Sequence, residues 1–242
     1  LERYVVDPAA HPFDAYVLRP VATWRIAEAA LLFAHDRYPF LSPAHYLHRI
    51  DEFTGRVDRL GAATPLERIA ALRTVLVAEE ELVGDAITYD DPRNSYLNEV
   101  LDRRCGLPIS LSVIWLDVAR ALGWRFAGVG LPGHFLIGCK AEDRCVLLDP
   151  FQGGRLVELG ECERLVQNVL GPQAVLAPEH VAPIDGPAIL TRMLNNLRAA
   201  YATRHDWSAY EQVLMRLMAL HPADTDLVED LNCLRGRLGR RN

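Results

Sequence analysis

The chain has only one lysine, Lys140, in 242 residues, so arginine carries nearly all of its positive charge. This bias reads as base composition of the genome and not as a function. Positive charge is also short overall: 26 Lys+Arg stand against 32 Asp+Glu, for a net charge of -6. That balance argues against non-specific nucleic-acid binding, which needs many phosphate-neutralising cations. No apolar run approaches the roughly 18 residues of a membrane span. Leu1-Glu2-Arg3-Tyr4 does not open a signal peptide. The five cysteines are odd in number and form no C-x-x-C pair, which argues against a disulfide framework and a zinc ribbon and points to a reducing cytoplasm. Gly 16 and Pro 15 are ordinary counts, and 50% hydrophobic residues can build a core.

Residues 1–20 contain Pro8, Pro12 and Pro20 without a sustained period and are expected to be an extended lead-in. Residues 21–85 read as a helical subdomain. Ile26, Ala29, Ala30 and Phe33 recur at helical spacing. Ser42-Pro43 opens a second helix and Pro65 to Leu82 a third. Residues 86–183 form the core region. A short helix from Ser95 ends at Cys105-Gly106-Leu107-Pro108, and a central helix follows from Pro108 to Leu122, stopped by Gly123. Its apolar residues cover most of its circumference, the mark of a buried helix. Four runs rich in Val, Leu, Phe and Ile (125–131, 134–139, 144–149 and 155–159) predict an antiparallel meander, with 167–183 irregular. Residues 184–242 return to helical spacing, with Leu190, Leu194, Leu197 and Tyr201 predicted to pack this tail on the body.

The chemistry concentrates in Gly133-His134-Phe135 and Leu147-Leu148-Asp149-Pro150. A turn within residues 140–143 sets Cys139 against Arg144 and His134 against Asp149, on one face of the hairpin. An imidazole beside a carboxylate is the base-and-orienter half of a nucleophilic triad. The plainer reading is two turn-flanking polar residues that face one another. A nucleophile belongs near the N-terminus of the central helix, where the dipole lowers a thiol pKa and free N–H groups stabilise an oxyanion. Cys105 and Ser110 are the candidates. Cys105 also reads as a small buried residue, and Ser110 as a first-turn residue bonded to the helix backbone.

Four blocks together, Asp91-Pro92-Arg93-Asn94-Ser95-Tyr96-Leu97, Gly106-Leu107-Pro108-Ile109-Ser110-Leu111-Ser112, Leu131-Pro132-Gly133-His134-Phe135-Leu136 and Leu148-Asp149-Pro150-Phe151, resemble the SirB family. These are bacterial proteins with a transglutaminase-like domain and often a short tetratricopeptide tail. The resemblance runs from about residue 24 to 235. It implies an α+β, papain-like core in which a cysteine at a helix start is the nucleophile, a histidine the base and an aspartate the orienter. His134 and Asp149 match the last two. At the first position the chain departs from the pattern: the helix start falls near Pro108, with Cys105 about three residues before it. The tail, 184–242, resembles one tetratricopeptide unit, although its usual small positions hold Tyr210 and Leu217.

His45, His48 and Asp51 share a helix face at metal-ligand spacing, but lack a distant fourth ligand and read as solvated. No metal or cofactor is assigned. Two functions are expected: a non-catalytic module binding a protein or peptide in the former active-site cleft, or a thiol-type (or serine-type) acyl transferase or amide hydrolase using Cys105 or Ser110 with His134 and Asp149. The Pro108 substitution favours the first.

Overall fold

The computed structural model describes residues 11–141 and 144–239. Helix α1 (Pro12–Val17) begins it, capped by His11, whose ring accepts from Phe13 N. This corrects the expected extended lead-in for the described part of residues 1–20. Pro12 sits at the first helical position, where its missing N–H costs nothing, and Phe13 and Tyr16 are buried on one face. Residues 1–10 lie outside the described residues.

Helices α2 (Ile26–Phe33), α3 (Pro43–Asp58) and α4 (Pro65–Leu72) follow. Thr64 and Glu67 form a capping box at the start of α4, and a π-helical segment, Arg73–Glu79, continues it. A two-residue strand, β1 (Val83–Gly84), pairs in parallel with β2 (Cys105–Gly106), on either side of helix α5 (Leu97–Arg103). Neither short strand is visible in the sequence pattern. The central helix, α6 (Pro108–Ala121), has eleven of its fourteen residues buried.

Strands β3 (Phe126–Val129), β4 (Leu136–Ala141), β5 (Arg144–Asp149) and β6 (Arg155–Val157) form the antiparallel meander. Helix α7 (Leu159–Leu170) then precedes β7 (Pro183–Ile184), which adds a fifth strand beside β3. The strand order is β6-β5-β4-β3-β7. One face of the sheet, through Phe135, Ile137 and Leu148, joins the large core around α6. The other, through Val129, Leu136 and Leu147, packs on Cys162 and Val166 of α7. Of the expected core, Trp115, Ala119, Val129, Phe135, Ile137 and Leu148 are buried, while Leu116, Leu122 and Val146 are half-buried.

The hairpin register differs from expectation by two residues. Lys140 and Ala141 extend β4 instead of turning, so Ala141 pairs with Arg144 and Cys139 with Val146. A two-residue slip preserves which face each side chain occupies, whereas a one-residue slip would invert it.

Three helices complete the chain: α8 (Gly186–Thr203), α9 (Trp207–Leu220) and α10 (Thr225–Arg237). Asp185, Asp206 and Asp224 cap them. Leu190, Leu194, Leu197 and Tyr201 are buried in the same cluster as α2 and α6, and the Tyr201 hydroxyl lies 2.8 Å from that of Tyr96. One apolar cluster therefore runs from Phe13 to Leu234.

Candidate functional site

The turn before β4 carries His134, and the last residue of β5 is Asp149. His134 Nε2 lies 2.9 Å from Asp149 Oδ2. A carboxylate only accepts, so Nε2 carries the shared proton and Nδ1 is the ring's remaining nitrogen. Asp149 is 1% exposed. Its Oδ1 accepts from Phe151 N at 2.9 Å and Gln152 N at 3.4 Å, because the chain turns into a 3-10 segment at Pro150. The imidazole stands edge-on to Phe151. The two residues thus meet, but across a turn and a strand end instead of as direct cross-strand partners.

Two supports hold this pair in place. Arg192 of α8 donates to the carbonyls of Gly130 (2.9 Å), Leu131 (2.7 Å) and His134 (3.0 Å), tying the turn to the tail. Burial pulls its guanidinium pKa down, opposed by the Tyr89 phenol. Behind Asp149, Gly154 adopts φ +70° and donates from its N–H to the Asp149 carbonyl at 2.7 Å. A Cβ on Gly154 would lie 2.2 Å from the ring of Trp115, itself buried, whereas one on neighbouring Gly153, with φ +67°, meets nothing closer than 3.6 Å. Gly154→Ala should therefore cost about 2–5 kcal/mol, combining left-handed backbone strain and overpacking, and Gly153→Ala about 1–2 kcal/mol from strain alone. Equal losses in chemical denaturation would contradict this packing account.

His134 opens onto a cleft of about 240 Å³ lined also by Tyr89, Pro108, Ile109, Arg192 and Asn196. Tyr89 and Asn196 continue into an adjoining hollow bordered by Asp90, Asp91 and Thr203. Burial raises the Tyr89 phenol pKa. Where the central helix faces His134, the lining residues are Pro108 and Ile109, neither of which has a nucleophilic atom. Ser110 is fully buried and its hydroxyl donates to the Asn94 carbonyl at 2.8 Å, not to its own helix. Ser112 is the residue that back-bonds the helix, to Pro108 O at 2.7 Å. Cys105 is half-buried in β2, opposite Val83, and is not among the residues lining the cleft.

Asn94 explains the first of the four sequence blocks. Its side chain donates to Thr88 O at 2.7 Å and Asp85 Oδ2 at 3.2 Å and accepts from Arg103 at 3.0 Å. Its carbonyl receives both Ser110 and Leu107 N. The block thus fastens the Tyr89 loop to the start of α6. Tyr89, Arg192 and Asn196 escaped the sequence reading. Tyr89 stands beside Asp90-Asp91, which reads as turn chemistry, and the other two reach the cleft only through packing of the tail.

Asp51 forms an ion pair with Arg25 at 2.6 Å and His48 lies 3.6 Å from Glu52. Among the described residues no group of three His, Cys, Asp or Glu could hold a metal ion, and no helix is long and apolar enough to cross a membrane.

A central helix whose start meets a His–Asp pair on an antiparallel sheet defines a class of protein. A family model for the transglutaminase-like superfamily matches residues 44–195. A UPF0162 protein of Xylella fastidiosa (strain 9a5c) is 35% identical over 228 residues, covering 91% of this chain and 80% of its own length. A UPF0162 protein of Pseudomonas aeruginosa is 30% identical over 240 residues, covering 94% of this chain and 85% of its own. The human F-box only protein 21 is 32% identical over 135 residues, or 52% of this chain and 20% of that protein. No solved structure matches. The chain belongs to the transglutaminase-like superfamily and, more narrowly, to the UPF0162 family.

Proposed function

We propose that this protein is a cytoplasmic, non-catalytic transglutaminase-like module that binds a peptide segment of a protein partner in the cleft beside His134. The observation that supports this is the make-up of the helix start: Pro108 and Ile109 line the cleft where a nucleophile would stand. Ser110 commits its hydroxyl to Asn94. The His134–Asp149 pair then serves as a polar wall. The tail, on this reading a single tetratricopeptide-like unit as in the SirB family, supplies the opposite wall through Arg192 and Asn196. The alternative, acyl transfer or amide hydrolysis, rests on the same His134–Asp149 hydrogen bond, with Cys105 or Ser110 attacking.

Peptide selection from a random displayed library tests the binding reading. Selected peptides should bind the whole chain and lose at least tenfold in Kd, about 1.4 kcal/mol, in Asn196→Trp, which fills the cleft from an exposed position. Selection that enriches nothing, or peptides indifferent to Asn196→Trp, would contradict it.

A further inference from the structure

Near the far end of α6 from His134, Arg68 of α4, Arg125 of the α6–β3 connection and Lys140 of β4 line a cleft of about 330 Å³. Among the described residues no carboxylate lines it, in a chain of net charge -6. Among the described residues, none of the three cations makes an ion pair, although fifteen other pairings bind arginine to acid across the molecule. The guanidinium of Arg68 lies over the Trp124 ring, 5.3 Å from its centroid, and its Nε is buried with no hydrogen-bond acceptor among the described residues. A buried donor without an acceptor is costly, and gathering like charges adds to that cost. An anion in the cleft offsets the repulsion among the three cations.

We propose that this cleft binds a small phosphate-bearing ligand. Two guanidinium groups and one ammonium supply more charge than a single carboxylate needs. The planar guanidinium fork matches phosphate oxygens two at a time. The volume is in the range of small-molecule sites, and Pro65 and Phe126 give an apolar wall for the organic part of such a ligand. This site is independent of the His134 cleft.

Lys140 is the chain's only lysine, which makes the test clean. The intact protein is acylated with an acetyl N-hydroxysuccinimide ester at pH 8, and modification of Lys140 and of the N-terminal amine is followed by peptide mass spectrometry. Phenyl phosphate and inorganic phosphate are each titrated, with sodium chloride at matched ionic strength as the control. Phosphate should slow acylation of Lys140 saturably and at least fivefold relative to the N-terminal amine. Protection should vanish in Arg125→Met, an exposed position, and in Arg68→Met. Protection by phenyl phosphate at lower concentration identifies an organic phosphate as ligand, and equal protection identifies free phosphate. No protection, protection matched by chloride, or protection that survives Arg125→Met overturns the proposal.

Discussion

Removing residues 187–242 is expected to leave a chain that neither stays soluble nor melts cooperatively. Helix α8 buries Leu190, Met193, Leu194, Leu197 and Tyr201 in the cluster shared with α2 and α6. At about 1.5–3 kcal/mol for each fully buried large side chain, five of them match the whole net stability of a typical domain, about 5–15 kcal/mol. The truncation also strips Arg192 from the carbonyls of Gly130, Leu131 and His134, and leaves an apolar face on the remaining body. A soluble 1–186 fragment with a single cooperative thermal transition would show that the tail is an appendage and that its packing is dispensable.

Arg216→Met is expected to cost about 3–5 kcal/mol at pH 7, the usual consequence of taking one partner from a buried charge cluster. Arg216, 6% exposed on α9, binds Asp14 of α1 and approaches Asp36 at 3.2 Å. Burial pushes the Asp36 carboxyl up to about 6, with Arg216 opposing and Asp14 adding to the rise. A carboxyl with a raised folded pKa contributes stability below its unfolded value, near 3.8, and loses it as pH climbs through about 6. Without Arg216 that folded pKa rises further, so the deficit is largest at neutral pH. His11, 3.3 Å from Asp36, is lowered to about 4 by burial first and by Arg216 next. It contributes stability above 6.5 that is lost as pH falls towards 4, and removing Arg216 weakens that loss. Both changes act in one direction. The gap between wild type and Arg216→Met in urea denaturation should be smaller at pH 5 than at pH 7, and an equal gap at both would contradict the assignment.

The central helix was legible because Pro108 and Gly123 mark its ends and its apolar residues surround it. The meeting of His134 and Asp149 was legible in part: the hairpin brings the two segments together, but His134 sits in the turn before β4 and reaches the end of β5 from there. The register itself was not. Lys140-Ala141 and Glu142-Asp143 are both acceptable turn residues, and only cross-strand pairing of Ala141 with Arg144 decides between them. Helix α7 is hidden in the sequence because the apolar run of β6 leads straight to Leu159 and Glu158 makes no side-chain cap, so the stripe of Cys162 and Val166 has no local start signal. Helix α1 was hidden by its flanking prolines, although Phe13 and Tyr16 sit one turn apart. The walls of the cleft were the least legible, since Arg192 and Asn196 lie some sixty residues from His134 and nothing local in α8 announces where it docks.

A non-catalytic cleft, as proposed, requires that no activated nucleophile among the described residues face His134. The most direct test is the rate of iodoacetamide alkylation at pH 7, read at each cysteine by peptide mass spectrometry, in wild type and in His134→Ala. An unassisted thiol with a pKa near ~8.5 is mostly protonated at that pH and reacts slowly. Cys105 should react no faster than a model thiol and should be unchanged in His134→Ala. Alkylation of Cys105 well above the model rate, lost on removing the imidazole, would mean a His-coupled thiolate and would establish the catalytic reading instead.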